Sequence, residues 1–215
     1  MATQLTQKTL GALRQLALLW LGAIAAAAAW AAGIHEDGYM LEAPAWRSEV
    51  AGVPSPDWPV DAWYRLTPAG RTIEVRAMKP AEPDQAEPDG AIYVRVPGTR
   101  FVEGNRPTYR FTNLILRPKV DKQYELKMGK TRFSFVVESD EQGTHYAITY
   151  GGETHRYTLG LPASATLVHA VADLDGDAMP DFLVEVGDDT FLLLSTRAKP
   201  GLNPPSAQLI AVGGC

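Results

Sequence analysis

A chain of 215 residues, 46% hydrophobic and 21% charged, belongs to the globular class and can hold one medium domain with a short appendage. Its formal net charge of −5 argues against a dedicated nucleic-acid binder, which needs a basic footprint to displace counterions from phosphate. With a single cysteine, Cys215, it has neither an internal disulfide nor a cysteine-based metal site.

The N-terminus has the layout of a secretory signal peptide over residues 1–31. Lys8 and Arg14 form a weakly basic lead-in to an apolar stretch that begins at Leu16 and ends at Ala32, and Ala29 and Ala31 satisfy the small-x-small cleavage rule. The 17 alanine-rich residues of that stretch are short for crossing a hydrocarbon core of about 30 Å. The alternative is an uncleaved inner-membrane anchor through the same stretch, the one form in which the chain would engage a membrane. No cysteine follows the leader and no arginine pair precedes it, so neither a lipoprotein nor a twin-arginine substrate is indicated. Cleavage would leave 18 basic against 25 acidic residues, a mature charge of −7. The expected compartment is periplasmic or secreted. There Cys215 is a free thiol on a flexible tail or the partner in an intermolecular disulfide.

Residues 32–60 read as an irregular segment, because Pro44, Pro54, Pro56 and Pro59 interrupt any ladder. Trp46, Trp58 and Trp63 should dock it on the body. Residues 61–215 read as a single β domain. Thr72–Met78 alternates apolar and polar at period two, as a half-buried strand does. A solvated loop over 80–90 follows, in which Ala-Glu-Pro-Asp occurs twice, and 91–96 resumes a strand. Two hairpins are clear. Tyr124, Leu126 and Met128 lead to Gly129-Lys130, with Phe133, Phe135 and Val137 beyond. Tyr146, Ile148 and Tyr150 lead to Gly151-Gly152, with Tyr157 and Leu159 beyond. Strands over 165–172, 181–186, 191–195 and 208–212 complete the pattern. No stretch of helical length in the mature chain has a 3.6 period. The expected fold is all-β, an antiparallel sandwich or small barrel of about eight to ten strands around one core, preceded by the N-terminal signal or anchor helix.

The chemistry is concentrated between two of those strands, in a hairpin over 165–195. Counting Asp173 as position 1, carboxylates stand at positions 1, 3, 5 and 9: Asp173, Asp175, Asp177 and Asp181. Ca²⁺ takes six to eight hard oxygens at roughly 2.3–2.6 Å, and a tightly turning chain can aim alternate side chains at one centre. Gly176 permits the curl. Met179 is placed to offer its carbonyl, and Asp181 closes the shell as the next strand begins. The loop lacks the glycine at position 6 and the acid at position 12 of an EF-hand, and its flanks are strands. No basic residue stands between Asp173 and Asp189, so four crowded carboxylates ask for a cation. A plain turn with aspartates capping amides is the alternative. Another divalent ion is a further one, although Mg²⁺ dehydrates reluctantly and seldom uses an all-protein cage.

The pattern Asp-x-Asp-Gly-Asp-x-x-x-Asp resembles the calcium loops of FG-GAP and VCBS-type repeats, the integrin-propeller kind. The resemblance covers residues 168–194 and implies Ca²⁺ held by Asp173, Asp175, Asp177 and Asp181 with the Met179 carbonyl. Ala178 stands where the family often has glycine, the Phe-Gly and Gly-Ala-Pro elements are missing, and a single copy excludes a multi-blade propeller by length. Residues 173–215 also resemble the C-terminal part of exported bacterial proteins that carry no assigned activity.

Catalytic signatures are missing from the sequence: no Gly-x-Ser-x-Gly elbow, no His-Glu-x-x-His, no phosphate-cradling glycine loop. His145 and His155 flank the Gly151-Gly152 hairpin and could face each other, with Asp140 or Glu141 nearby, as a metal or acid–base pair. Between Arg100 and Arg132 nine basic residues stand against three acids. Arg100, Arg106, Arg110, Arg117 and Lys119 could engage an anionic envelope polymer or an acidic protein, or simply form solvated strand faces. The leading expectation is a non-enzymatic binding or envelope-associated module stabilised by calcium. The rival is a small periplasmic hydrolase with a site assembled across strands.

Overall fold

The computed structural model describes residues 38–51, 62–80, 88–110 and 116–210. The expected leader, Trp58, most of the Ala-Glu-Pro-Asp loop and the tail with Cys215 lie outside the described residues.

In chain order, strand β1 (Tyr39–Glu42) is followed by a short helix α1 (Ala43–Glu49), then β2 (Trp63–Ala69), β3 (Thr72–Met78), β4 (Ile92–Arg95) and β5 (Gly104–Arg110). Next come β6 (Tyr124–Met128), β7 (Thr131–Asp140), β8 (Gly143–Tyr150) and β9 (Glu153–Gly160). The chain ends in β10 (Thr166–Ala172), β11 (Asp181–Val186), β12 (Asp189–Leu193), a 3₁₀ turn (Ser195–Arg197), β13 (Gly201–Asn203) and β14 (Ala207–Leu209). Nine strands close a barrel in the order β1-β14-β12-β11-β10-β5-β3-β2-β4, and five form a second sheet in the order β13-β9-β8-β7-β6. Closure leaves the barrel without exposed edges. Among the described residues no helix is long and apolar enough to cross a membrane.

The all-β expectation holds, and the two hairpins turn where glycine predicts. Gly151 and Gly152 have φ of +60° and +85°, the left-handed pair that a two-residue hairpin turn requires. The segment 32–60 is not irregular throughout. Tyr39–Glu42 pairs with β4 and with β14 and so closes the barrel, while Pro44 sits in the first turn of α1, where a missing N–H costs nothing. Trp46 stacks on Tyr93 at 4.5 Å and meets Trp63 edge-on at 4.7 Å, docking α1 as the tryptophans suggest.

Alternation sorts the core into three clusters in place of the single one expected. Leu66, Ile73, Val75, Val94 and Leu192 fill the barrel interior. The opposite faces of β10, β11 and β12 present Val168, Phe182, Val184 and Phe191 to Phe133, Phe135, Tyr146 and Ile148 of the second sheet. Phe182 and Phe135 are completely buried there, each contributing about 1.5–3 kcal/mol. The third cluster lies under α1.

The barrel has two unlike ends. Antiparallel register places the 173–180 loop beside the N-terminal ends of β1 and β5, and its Leu174 is buried in the interior cluster. At the opposite end a cavity of about 420 Å³ opens, with Leu66, Ile73, Ile92, Leu183 and Leu209 as apolar walls. A β-bulge between Val168 and Ala170 turns both His169 and Ala170 toward this cavity.

Candidate metal centre

Ala172 pairs with Asp181 at the last rung of the β10–β11 ladder, and the intervening residues fold back over the barrel end. Gly176 has φ +89°, a conformation that favours glycine, and a Cβ there would lie 2.7 Å from the methyl Cγ2 of exposed Val102, which would have to shift. Ala178 has φ +65°, the left-handed region in which a Cβ crowds the following carbonyl.

Hydrogen bonds lock the loop from within. Gly176 N–H donates to Asp173 Oδ1 at 2.7 Å, and Met179 N–H donates to Asp177 Oδ1 at 2.7 Å. Leu174 N–H donates to Asp181 Oδ2 at 2.7 Å, and Ser195 N–H donates to Asp181 Oδ1 at 2.8 Å. Ser195 Oγ lies 2.8 Å from both Asp177 Oδ2 and Asp181 Oδ1, yet a hydroxyl has one proton for the two. Thr196 Oγ1 donates to Asp175 Oδ2 at 2.5 Å.

One oxygen of each of Asp173, Asp175 and Asp177 falls within 4.8 Å of the other two. Asp181 stands outside that trio, 1% exposed at the base of the loop, with both oxygens accepting backbone amides. Met179 is half-buried, and its N–H is engaged by Asp177. Asp175 Oδ1 is buried and has no hydrogen-bond partner. Such an oxygen calls for an ion or a water to complete it.

The electrostatics agree with a shortage of positive charge. Burial pushes the Asp175 carboxyl above its ordinary range, as do the charges of Asp177 and Asp173, against the pull of the Thr196 hydroxyl and the Asp177 N–H. Burial and then the Asp175 charge hold Asp181 well above its ordinary range, against three hydrogen bonds that favour the anion. Tyr150 of β8 donates to the Ser195 carbonyl at 3.5 Å, and its hydroxyl is pushed up by burial and then by the Asp177, Asp181 and Asp175 charges.

A residue the local sequence hides supplies part of the missing charge. Arg106 of β5 donates through Nε to the Asp173 carbonyl at 2.7 Å and through Nη2 to Asp173 Oδ2 at 2.8 Å. It therefore leaves the basic segment and joins the acidic loop. Arg100, Arg117 and Lys119 remain exposed, and the side chain of Arg110 lies outside the described residues.

The suggested histidine pair does not form. His145 pairs with Thr158 and His155 with Ile148, so the period-two pleat puts the two rings on opposite faces of the sheet. His145 bonds Asp140 Oδ1 at 2.8 Å and Thr158 Oγ1 at 2.9 Å, while His155 donates through Nδ1 to the Lys199 carbonyl at 2.9 Å and stacks on Tyr150.

Comparison of the chain with protein-family models, with curated proteins and with solved structures returned no match.

Proposed function

We propose that this chain is an exported, calcium-stabilised β-module of the binding or envelope-associated kind. The ion sits among Asp173, Asp175 and Asp177, with the Met179 carbonyl as the FG-GAP and VCBS resemblance implies. Asp181 organises the loop from below by accepting the Leu174 and Ser195 amides. The reading rests on Asp175 Oδ1, a buried anionic oxygen without a donor inside a trio of carboxylates that approach within 4.8 Å. Arg106 neutralises one of the four charges and leaves a deficit of three. Calcium supplies two, through the hard oxygens it prefers. Thermal unfolding in millimolar calcium and after EDTA tests this: binding to the folded state alone raises Tm, and an unchanged Tm contradicts it.

The hydrolase reading draws on one observation, a His169–Glu185 pair at 2.9 Å in the wall of the barrel cavity. Against it, the walls around that pair are largely apolar. The binding reading accounts for them more directly.

A further inference from the structure

The barrel cavity is built for a ligand. It opens at the end away from the acidic loop and reaches inward to Leu174 and Asp181 at the loop's base, because Ala170 and Ala172 on β10 leave space that larger side chains would fill. A volume of about 420 Å³ lies within the roughly 300–1,000 Å³ of small-molecule sites. Such sites combine apolar walls with few, fixed polar groups, and small barrels commonly hold one ligand at the mouth.

The fixed polar group here is the His169–Glu185 pair. His169 reaches the cavity because of the bulge in β10, and its Nε2 lies 2.9 Å from Glu185 Oε2. Glu185 Oε1, which the bond to His169 does not use, is left to accept a hydrogen bond from a ligand. Glu42 also lines the cavity, so with Glu185 its charged lining is acidic and its carboxylate oxygens accept hydrogen bonds. An anionic head group is disfavoured on both counts.

We infer that this cavity binds a small, largely apolar molecule carrying a hydroxyl or amine head group, its body against Leu66, Ile73, Ile92 and Leu183 and its head on the His169–Glu185 pair. This deepens the binding half of the proposed function and is independent of its calcium half.

The test uses the neutral fluorophore N-phenylnaphthylamine on the full chain, in calcium and in EDTA. Saturable enhancement is expected, displaced by dodecanol or dodecylamine at concentrations about tenfold lower than by dodecanoate. Ala170→Phe fills the cavity and should abolish enhancement in protein that still unfolds cooperatively. Should that variant fail to fold, Ile92→Trp on β4, across the barrel from β10, fills the same space. Glu185→Gln should keep the probe bound and weaken the preference against dodecanoate. Absence of saturable enhancement overturns the inference, as does enhancement that survives both filling variants or equal displacement by all three competitors. A calcium-dependent rise in Tm without probe binding sinks the cavity site alone, whereas probe binding without that rise supports the cavity and sinks only the calcium site.

Discussion

Arg106 and Asp173, 67 residues apart in sequence, are held by two hydrogen bonds, one to the Asp173 carbonyl and one to its carboxylate. The guanidinium is therefore a fixed cation within the acidic loop. Arg106→Ala should lower the stability of metal-free protein by about 1–3 kcal/mol, the scale of lost charged hydrogen bonds. It should also enlarge the increase in Tm produced by calcium, because the ion then meets one more uncompensated charge. Denaturant unfolding in EDTA and in calcium reads both effects; a smaller calcium response would contradict the role assigned to Arg106.

Asp175 and Asp181 should respond to amide substitution with opposite signs. Asp175→Asn removes a buried charge that has repulsive neighbours, so metal-free protein should be unchanged or more stable while the calcium response disappears. Asp181→Asn replaces an oxygen that accepts backbone amides by an amide nitrogen, and should cost about 2–4 kcal/mol with or without calcium. Melting curves of the two variants in EDTA separate the roles.

The acid response of the metal-free protein follows from the same carboxyls. Asp175 and Asp181 have folded pKa values raised above 3.8, so their folded forms hold protons that the unfolded chain releases. Stability should rise as pH falls from neutral through those raised values, and stop rising near 3.8. Asp140 acts in the other sense: its bonds to His145 and the Gln142 N–H lower its pKa, and its contribution is lost as pH falls below 3.8. Calcium bound as proposed would hold the loop ionised and reverse the rise. Chemical denaturation in EDTA across that range checks it; a monotonic fall in stability from neutral pH would count against the crowded loop.

Backbone conformation gives a further pair. Gly176→Ala introduces a Cβ 2.7 Å from Val102 at φ +89° and should cost about 1–3 kcal/mol. Ala178→Gly relieves a left-handed alanine at φ +65° but adds chain entropy, so stability should hold or improve by up to about 1 kcal/mol. Loss of stability in Ala178→Gly would show that the alanine is not strained.

Much of this was legible from residues in a row. Thr72–Met78 and Asp181–Val186 are strands over the bounds their alternation and β-branched content predict. Gly104–Arg110 was not, because Gly-Asn-Arg-Pro-Thr-Tyr-Arg has no alternation; it is a strand because β3 and β10 pair with it. Tyr39–Glu42 is likewise fixed by closure of the barrel and not by its neighbours in sequence. The site divides the same way. The spacing of Asp173, Asp175 and Asp177 sufficed to place three oxygens together, since a turn is a local object. Arg106, Ser195 and Thr196 arrive through the registers of β5 and β12, and the cavity draws its walls from strands across the whole barrel, so no window of sequence contains either.

Calorimetric titration of calcium into EDTA-stripped protein bears most directly on the loop. A single saturable site per chain is predicted, lost in Asp175→Asn and much weaker for magnesium. The absence of saturable heat in folded wild-type protein, together with an unchanged melting temperature, would contradict it.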